Sequence, residues 1–340
     1  MKILIIGGTN FIGPWVIRHL VTMGQDVTLF HRGKTKADLP ENVHHIFGER
    51  SQLQDYKNEF ENLSPDVVVD MICYTESEAR MLIKVFKGIT RRVVAISSMD
   101  VYRAYGIMLG KESGIQEVPL TEDSALRSSL YLVKDMPKRP LNAPPDYEKI
   151  VVERVVMSDS ELPATIIRLP MVYGANDPLN RLSPYLKRMD DSRDAIVFLD
   201  IIAKWKASYG YVENIGYAIA LAVTNEKAAG RIYHVAEPET LSEGERVIKI
   251  GQLTGWKGKI VSLPKYKFPQ DWNLPLNSEQ DWFLDSTRIR EELGYREIVP
   301  IEEALKRTIE WERNHPSTEM QQLTTPFLLD YETEDDILKR

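Results

Sequence analysis

The chain has 340 residues, 43% of them hydrophobic and 27% charged, with 43 Lys and Arg against 50 Asp and Glu for a formal net charge of −7. That balance predicts a soluble globular protein of one large domain with a second lobe, and it disfavours a general nucleic-acid or anionic-membrane surface while leaving room for local basic patches. Cys73 is the only cysteine, which excludes an intramolecular disulfide and a cysteine-rich zinc site and makes a reducing cytoplasm the simplest compartment. No run approaches the roughly 18 apolar residues of a membrane span, and Gly7-Gly8 interrupts the N-terminal run too early for a signal-peptide core.

That N-terminal run, Lys2 to Ile6, reads as a strand, and the segment Gly7-Gly-Thr-Asn-Phe-Ile-Gly13 reads as a tight turn opening a helix. A dinucleotide pyrophosphate needs close backbone and free N–H groups at a helix N-terminus, which glycines at Gly7 and Gly13 permit. A Gly-x-x-Gly-x-x-Gly spacing would want a third glycine where Asn10 stands, and asparagine tolerates left-handed backbone better than most residues. Gly7, Thr9, Asn10, Phe11, Ile12 and Gly13 are therefore the candidate contacts to a nucleotide cofactor.

Trp15 to Met23 follows with helical spacing closed by Gly24, and Asp26 to Phe30 forms a second strand running into His31-Arg32-Gly33. This completes a βαβ unit of about 30 residues. An NAD site usually places an acid at this strand end for the ribose 2′-hydroxyl; His31 and Arg32 stand there instead. A guanidinium can bind a 2′-phosphate that an acid would repel, so these residues favour NADP, with NAD as the alternative.

Further strands are predicted at Val43–Phe47, Val67–Ile72, Arg92–Ile96 and Ala164–Leu169, alternating with helical stretches. The alternation predicts an α/β protein with a Rossmann doubly wound parallel sheet, whose ligands sit at the carboxyl ends of the strands. Those ends carry Gly48-Glu49, Cys73-Tyr74, Ser97-Ser98 and Pro170. The expected organisation is an NAD(P)-binding Rossmann domain over 1–170 and a smaller α/β substrate lobe over 171–315 whose chain returns to the first domain near 205–225. A polar, acidic, loosely packed tail is expected over 316–340. His44 and His45 lie on a strand pattern without a second ligand pair at metal spacing, so no metal site is expected.

Four segments carry a family resemblance: Ser97-Ser-Met-Asp-Val-Tyr102, Arg168-Leu-Pro-Met-Val-Tyr-Gly174, Tyr211-Val-Glu-Asn-Ile215 and Asp285-Ser-Thr-Arg-Ile-Arg-Glu-Glu-Leu-Gly-Tyr295. Taken in order with the first glycine loop, they make the chain, from Met1 to about Trp311, resemble the extended or atypical short-chain dehydrogenases/reductases. These are the NAD(P)-dependent sugar-nucleotide epimerases and dehydratases, here in their divergent branch. The resemblance implies that Ser98 orients the substrate's reacting oxygen, and that Lys149, placed by Glu153 and Arg154 downstream, binds the nicotinamide ribose and lowers the pKa of a catalytic tyrosine. It further implies that Glu49 contacts the adenine, that Pro170 and Val172 line the nicotinamide, and that Arg181, Lys187 and Arg188 lie where substrate phosphate is bound. A homodimer through helices at Glu76–Phe86 and Asp146–Val156 is implied as well.

The departure lies four residues before Lys149, where the family's tyrosine should stand and this chain has Pro145. Tyr147 is only two residues from Lys149, a spacing that on a helix puts two side chains on different faces. Three accounts follow: Tyr147 reaches in from a helix start, another acid substitutes, or the redox chemistry is lost. Asp100 is the candidate acid, because dehydratases of the family carry two acids after their Ser or Thr and Asp100 falls on the second, with Met99 on the first. The expected function is NAD(P)-dependent epimerase, dehydratase or reductase chemistry on a sugar-like or nucleotide-linked hydroxyl or carbonyl. The alternatives are a non-catalytic dinucleotide-binding sensor or scaffold and, behind it, an RNA-binding protein like the chloroplast stem-loop binders of the divergent branch.

Overall fold

The computed structural model describes residues 1–134, 136, 139, 143–269, 276–316 and 331–339. The first apolar run forms β1 (Lys2–Ile6), in which Ile3 to Ile6 are all buried. A strand covered on both faces needs an unbroken apolar run rather than an alternating one, and that is what the sequence supplies. The same holds for β2 (Asp26–His31), β4 (Val67–Asp70), β5 (Arg92–Ser98) and β6 (Ala164–Leu169), whereas β3 (His44–Phe47) is an exposed edge. After β7 (Met171–Tyr173), β8 (Ala195–Leu199) and β9 (Tyr209–Tyr211), β10 (Arg231–His234) returns to the main sheet, and β11 (Lys259–Leu263) follows.

The main sheet has seven strands in the order β10-β6-β5-β4-β1-β2-β3, every pair parallel. This is a doubly wound Rossmann sheet, and its order reverses at β1 and β4, where ligands of such sheets bind. On one face the helices Gly13–Thr22 and Val212–Thr224 pack together; on the other, Glu76–Phe86 packs on Lys149–Val156. Beyond the main sheet the chain forms two short parallel pairs, β7 with β9 and β8 with β11.

A buried polar network ties the far end of the sheet to the chain that closes it. Arg168 on β6 pairs with Glu153 through its Nη2 at 2.7 Å and donates from Nη1 to the Tyr102 hydroxyl at 2.5 Å. The Tyr102 hydroxyl bonds His234 Nε2, and His234 Nδ1 bonds the carbonyl of Asp285 at 2.8 Å. A carbonyl only accepts, so Nδ1 carries the proton, Nε2 accepts from Tyr102, and His234 is neutral in the fold. Burial holds its pKa down, to about 3 from an ordinary 6.5.

Two segments depart from the sequence reading. The predicted helix 146–156 begins only at Lys149, because residues 145 and 146 turn and the Glu148 side chain, not an aspartate, accepts the Ile150 N–H at 3.0 Å as its cap. At the C-terminus, Tyr331–Lys339 is a helix joined to the helix Ser183–Asp190 instead of a loose tail. Glu334 and Arg188 form an ion pair with both side chains 2% exposed, and Ile337 is buried beside them. Residues 317–330 and 340 of the expected tail lie outside the described residues.

Candidate active site

The carboxyl ends of β4 and β5 converge on one ammonium group. Lys149 opens its helix and donates from Nζ to the carbonyls of Cys73 and Ile96, both at 2.7 Å. It is only 4% exposed, and burial pulls its pKa below the usual lysine value. An ammonium has three donors. Two are committed to the backbone, which fixes the group in place and leaves one for a ligand hydroxyl.

Tyr147 stands beside it. Because the helix starts two residues later, Tyr147 is not bound by helical spacing, and its ring centroid lies 5.8 Å from Lys149 Nζ. Its hydroxyl donates to Asp100 Oδ2 at 2.7 Å, while Tyr74 packs 6.0 Å away and its own ring lies 4.7 Å from Nζ. The structure thus brings together Lys149, Tyr147 and Asp100, three of the four candidate catalytic residues. Burial first, then the Asp100 charge, holds the Tyr147 phenol well above its usual range, and burial also raises the Asp100 carboxyl. The site therefore holds a neutral phenol against an acid that binds its proton more tightly than usual.

Ser98, the fourth candidate, sits at the end of β5, where its Oγ accepts the Asp100 N–H at 3.2 Å and caps the following turn. A serine hydroxyl that accepts one bond keeps its own O–H for a substrate oxygen.

Two residues that sequence reading passed over hold this arrangement. Arg127 is 4% exposed; it donates from Nε to the Asp100 carbonyl at 2.8 Å and from Nη1 and Nη2 to the Glu148 carboxylate at 2.8 and 2.7 Å. Glu148, fully buried, also accepts the backbone N–H of Tyr131 at 2.7 Å, and its own N–H donates to the Tyr74 carbonyl at 3.0 Å. One guanidinium thereby fastens the turn bearing Asp100 to the segment bearing Tyr147 and Lys149. The available signal was the charge wedged directly between Tyr147 and Lys149. A second such pair, Arg50 with Asp70 at the end of β4, lies under the same edge, where Asp70 Oδ1 accepts the Ile72 N–H at 3.0 Å.

The glycine loop fits a dinucleotide on its own geometry. Gly7 and Gly8 adopt φ of +83° and +89°, and a Cβ on Gly13 would fall 2.2 Å from the Gly8 carbonyl oxygen, so the backbone approaches as side chains would forbid. Phe11 also has positive φ, and Asn10 accepts the Gly13 N–H at 3.0 Å. No side chain caps the helix that begins at Gly13; Pro14 in its first turn has no N–H, and the Gly13, Trp15 and Val16 N–H groups donate to the carbonyls of Asn10 and Ile12, so an anion here would be met by the helix dipole rather than by those N–H groups. Thr9 and Ile12 are half-buried along the loop.

At the next strand end, Arg32 is exposed and His31 bonds His45 at 2.9 Å. Glu49 pairs with Lys34 at 3.3 Å, and Pro170 and Val172 are buried at the start of β7. Of the residues expected near substrate phosphate, Arg181 bonds the Val172 carbonyl and pairs with Asp177, Lys187 pairs with Asp191, and Arg188 is sequestered by Glu334.

No known family model matches the chain. It is 25% identical over 275 residues to a 2'-dehydrokanamycin reductase of Streptomyces kanamyceticus, covering 78% of this chain and 70% of that one. It is 24% identical over 333 residues to a UDP-N-acetyl-alpha-D-glucosaminuronate decarboxylase of Bacillus cytotoxicus, covering 92% and 98%. Among solved structures, a UDP-glucuronic acid 4-epimerase from Bacillus cereus in complex with UDP-glucuronic acid and NAD superposes with a TM-score of 0.66 at 18% identity, over 92% of this chain and 99% of that one.

Proposed function

We propose that this chain, which has the extended short-chain dehydrogenase/reductase fold, is an NADP-preferring oxidoreductase acting on a hydroxyl or carbonyl carbon of a sugar-like or nucleotide-linked substrate. The observation that carries the reading is the buried Lys149 ammonium beside the Tyr147–Asp100 pair, at the carboxyl edge of the sheet. A solvated structural lysine would not be drawn into two carbonyls next to a proton donor.

Gly7, Thr9, Asn10, Phe11, Ile12 and Gly13 would hold the pyrophosphate, Lys149 the nicotinamide ribose, Pro170 and Val172 the nicotinamide, and Glu49 the adenine. When bound, the nicotinamide gives or takes a hydride. In oxidation Tyr147 takes the substrate's hydroxyl proton as it passes its own to the Asp100 carboxylate that it bonds. In reduction Asp100, first protonated from solvent, passes that proton to Tyr147 as Tyr147 gives its own to the substrate oxygen, and Ser98 donates a hydrogen bond to that oxygen. Pro145 thus marks a displaced tyrosine, and Tyr147 takes the part that the family gives to a residue two positions earlier.

Arg32 supports NADP, because an exposed guanidinium at this strand end suits a 2′-phosphate where an acid suits a hydroxyl. Calorimetric titration of the full chain with NADPH and NADH is expected to show tighter NADPH binding that Arg32→Ala weakens by about tenfold. A screen of nucleotide-sugars and keto-sugars, read by nicotinamide absorbance, should then find turnover. If neither nucleotide binds, the oxidoreductase reading is wrong.

We also infer a homodimer. The helices Glu76–Phe86 and Lys149–Val156 pack side by side and keep Met81, Ile83 and Val155 only partly buried. Light scattering at micromolar protein is expected to give twice the chain mass, and a monomer would overturn this.

A further inference from the structure

Three histidines stand at the β2–β3 edge, and two of them are joined. In the parallel register His45 of β3 pairs with Leu29 and Phe47 with His31, so His31, His45 and Phe47 share one face while His44 turns to the other, 3.8 Å from Asp26. His31 Nε2 lies 2.9 Å from His45 Nδ1, and the Gly33 N–H reaches His31 Nδ1 at 3.3 Å. The direction of this chain follows from its first link. A backbone N–H can only donate, so His31 Nδ1 is unprotonated and Nε2 carries the proton toward His45 Nδ1. His45 must then hold its own proton on Nε2, the end of the chain that faces away from His31. His45 is exposed and its ring is stacked on Phe47 at 5.9 Å with an interplanar angle of 9°.

The charges facing this edge are mostly positive. Arg32 and Lys34 follow His31 directly, and Glu49, after β3, is the acid, held by Lys34. The Gly33 and His31 N–H groups are spent within the chain of bonds, so His45 Nε2–H is the donor it presents; one such donor, with the Arg32 and Lys34 cations in the loop after β2, suits a phosphate monoester.

We propose that His45 of β3 is a binding residue for a phosphate monoester on the cofactor's adenosine ribose, acting with His31, Arg32 and Lys34, so that the edge strand contributes to cofactor selection. The inference rests on the NADP-dependent reading given above and adds to it a residue that neither the glycine loop nor the β2 end supplies. His31 serves here as a positioning residue, because its proton goes to His45.

The test uses the full chain, with NADPH and NADH as probes and calorimetric dissociation constants as the readout. His45→Ala is expected to weaken NADPH by about five- to tenfold, the loss of one hydrogen bond to a charged group, and to leave NADH within twofold. His45→Gln, which keeps an N–H donor, should recover part of the loss. Unchanged NADPH affinity in His45→Ala, with Arg32→Ala still weakening it, overturns this proposal and spares the oxidoreductase reading. Equal weakening of NADPH and NADH would place His45 in the edge strand's structure rather than at the phosphate, and would also overturn it. Binding of neither nucleotide by the unaltered chain removes both.

Discussion

Tyr147→Phe is expected to lower turnover by about 10²- to 10⁴-fold, the span that a positioned general acid or base contributes, while NADPH affinity stays within twofold. The substitution removes one oxygen and leaves the ring that packs between Tyr74 and Lys149. Because burial and the Asp100 charge hold the phenol above its usual range, the proton-donating form persists through neutral pH, and the rate of carbonyl reduction should fall only on the alkaline side. Asp100→Asn tests the partner. It keeps the hydrogen bond from Tyr147 but cannot return a proton, so a smaller loss in turnover and a changed alkaline limb are expected. Turnover of Tyr147→Phe equal to that of the unaltered chain, on whichever substrate the screen identifies, would remove Tyr147 from the mechanism and return attention to Ser98.

The second large effect falls on stability. Glu148→Ala is expected to destabilise the fold by about 3–5 kcal/mol, the cost of leaving a buried partner charge uncompensated, and urea unfolding followed by circular dichroism measures it. Arg127 is left with its guanidinium 4% exposed and without its bidentate carboxylate, and the Ile150 and Tyr131 N–H groups lose their acceptor. Replacing both partners together, Arg127→Met with Glu148→Leu, should recover much of that loss, because no buried charge is then stranded. A loss below about 1 kcal/mol for Glu148→Ala would mean that solvent reaches the pair and that its strength is that of a surface ion pair.

The sheet was legible because burial on both faces demands unbroken apolar runs, here short and bounded by turn residues. Ile3 to Ile6, Val67 to Val69 and Ala164 to Ile167 announce themselves without reference to any partner. The glycine loop was legible for a related reason, since only glycine fits the approach of Gly13 to Gly8. The candidate site was legible only in pieces. Its composition could be assembled from Ser98, Asp100, Tyr147 and Lys149, but its geometry depends on where one helix begins. Pro144, Pro145 and Asp146 are helix-opening residues by type, and they drew the start three positions too early. The cap that decides the matter is Glu148, a residue whose ordinary place is solvent and whose burial depends on Arg127, in a loop without periodicity. The anchors of Lys149 are backbone carbonyls, which leave no mark in a sequence. The same reasoning applies to the C-terminal helix. Its Glu334 reads as one more acid in an acidic stretch until Arg188 is brought beside it.

His234 carries a consequence for how this protein meets acid. The native fold refuses the proton that an unfolded chain would accept at 6.5, and keeps refusing it down to about 3. The unfolded state therefore binds more protons throughout that interval, so this residue's contribution is whole above 6.5 and drains away as the pH falls toward 3. Among the groups through which mild acidification acts on stability is thus one imidazole locked between Tyr102 and the backbone of Asp285. When it is finally protonated, Nε2 becomes a donor facing the hydroxyl that had been donating to it, and a cation appears beside Arg168. The seam between the outermost strand and the segment that closes the chain is where the molecule should begin to come apart.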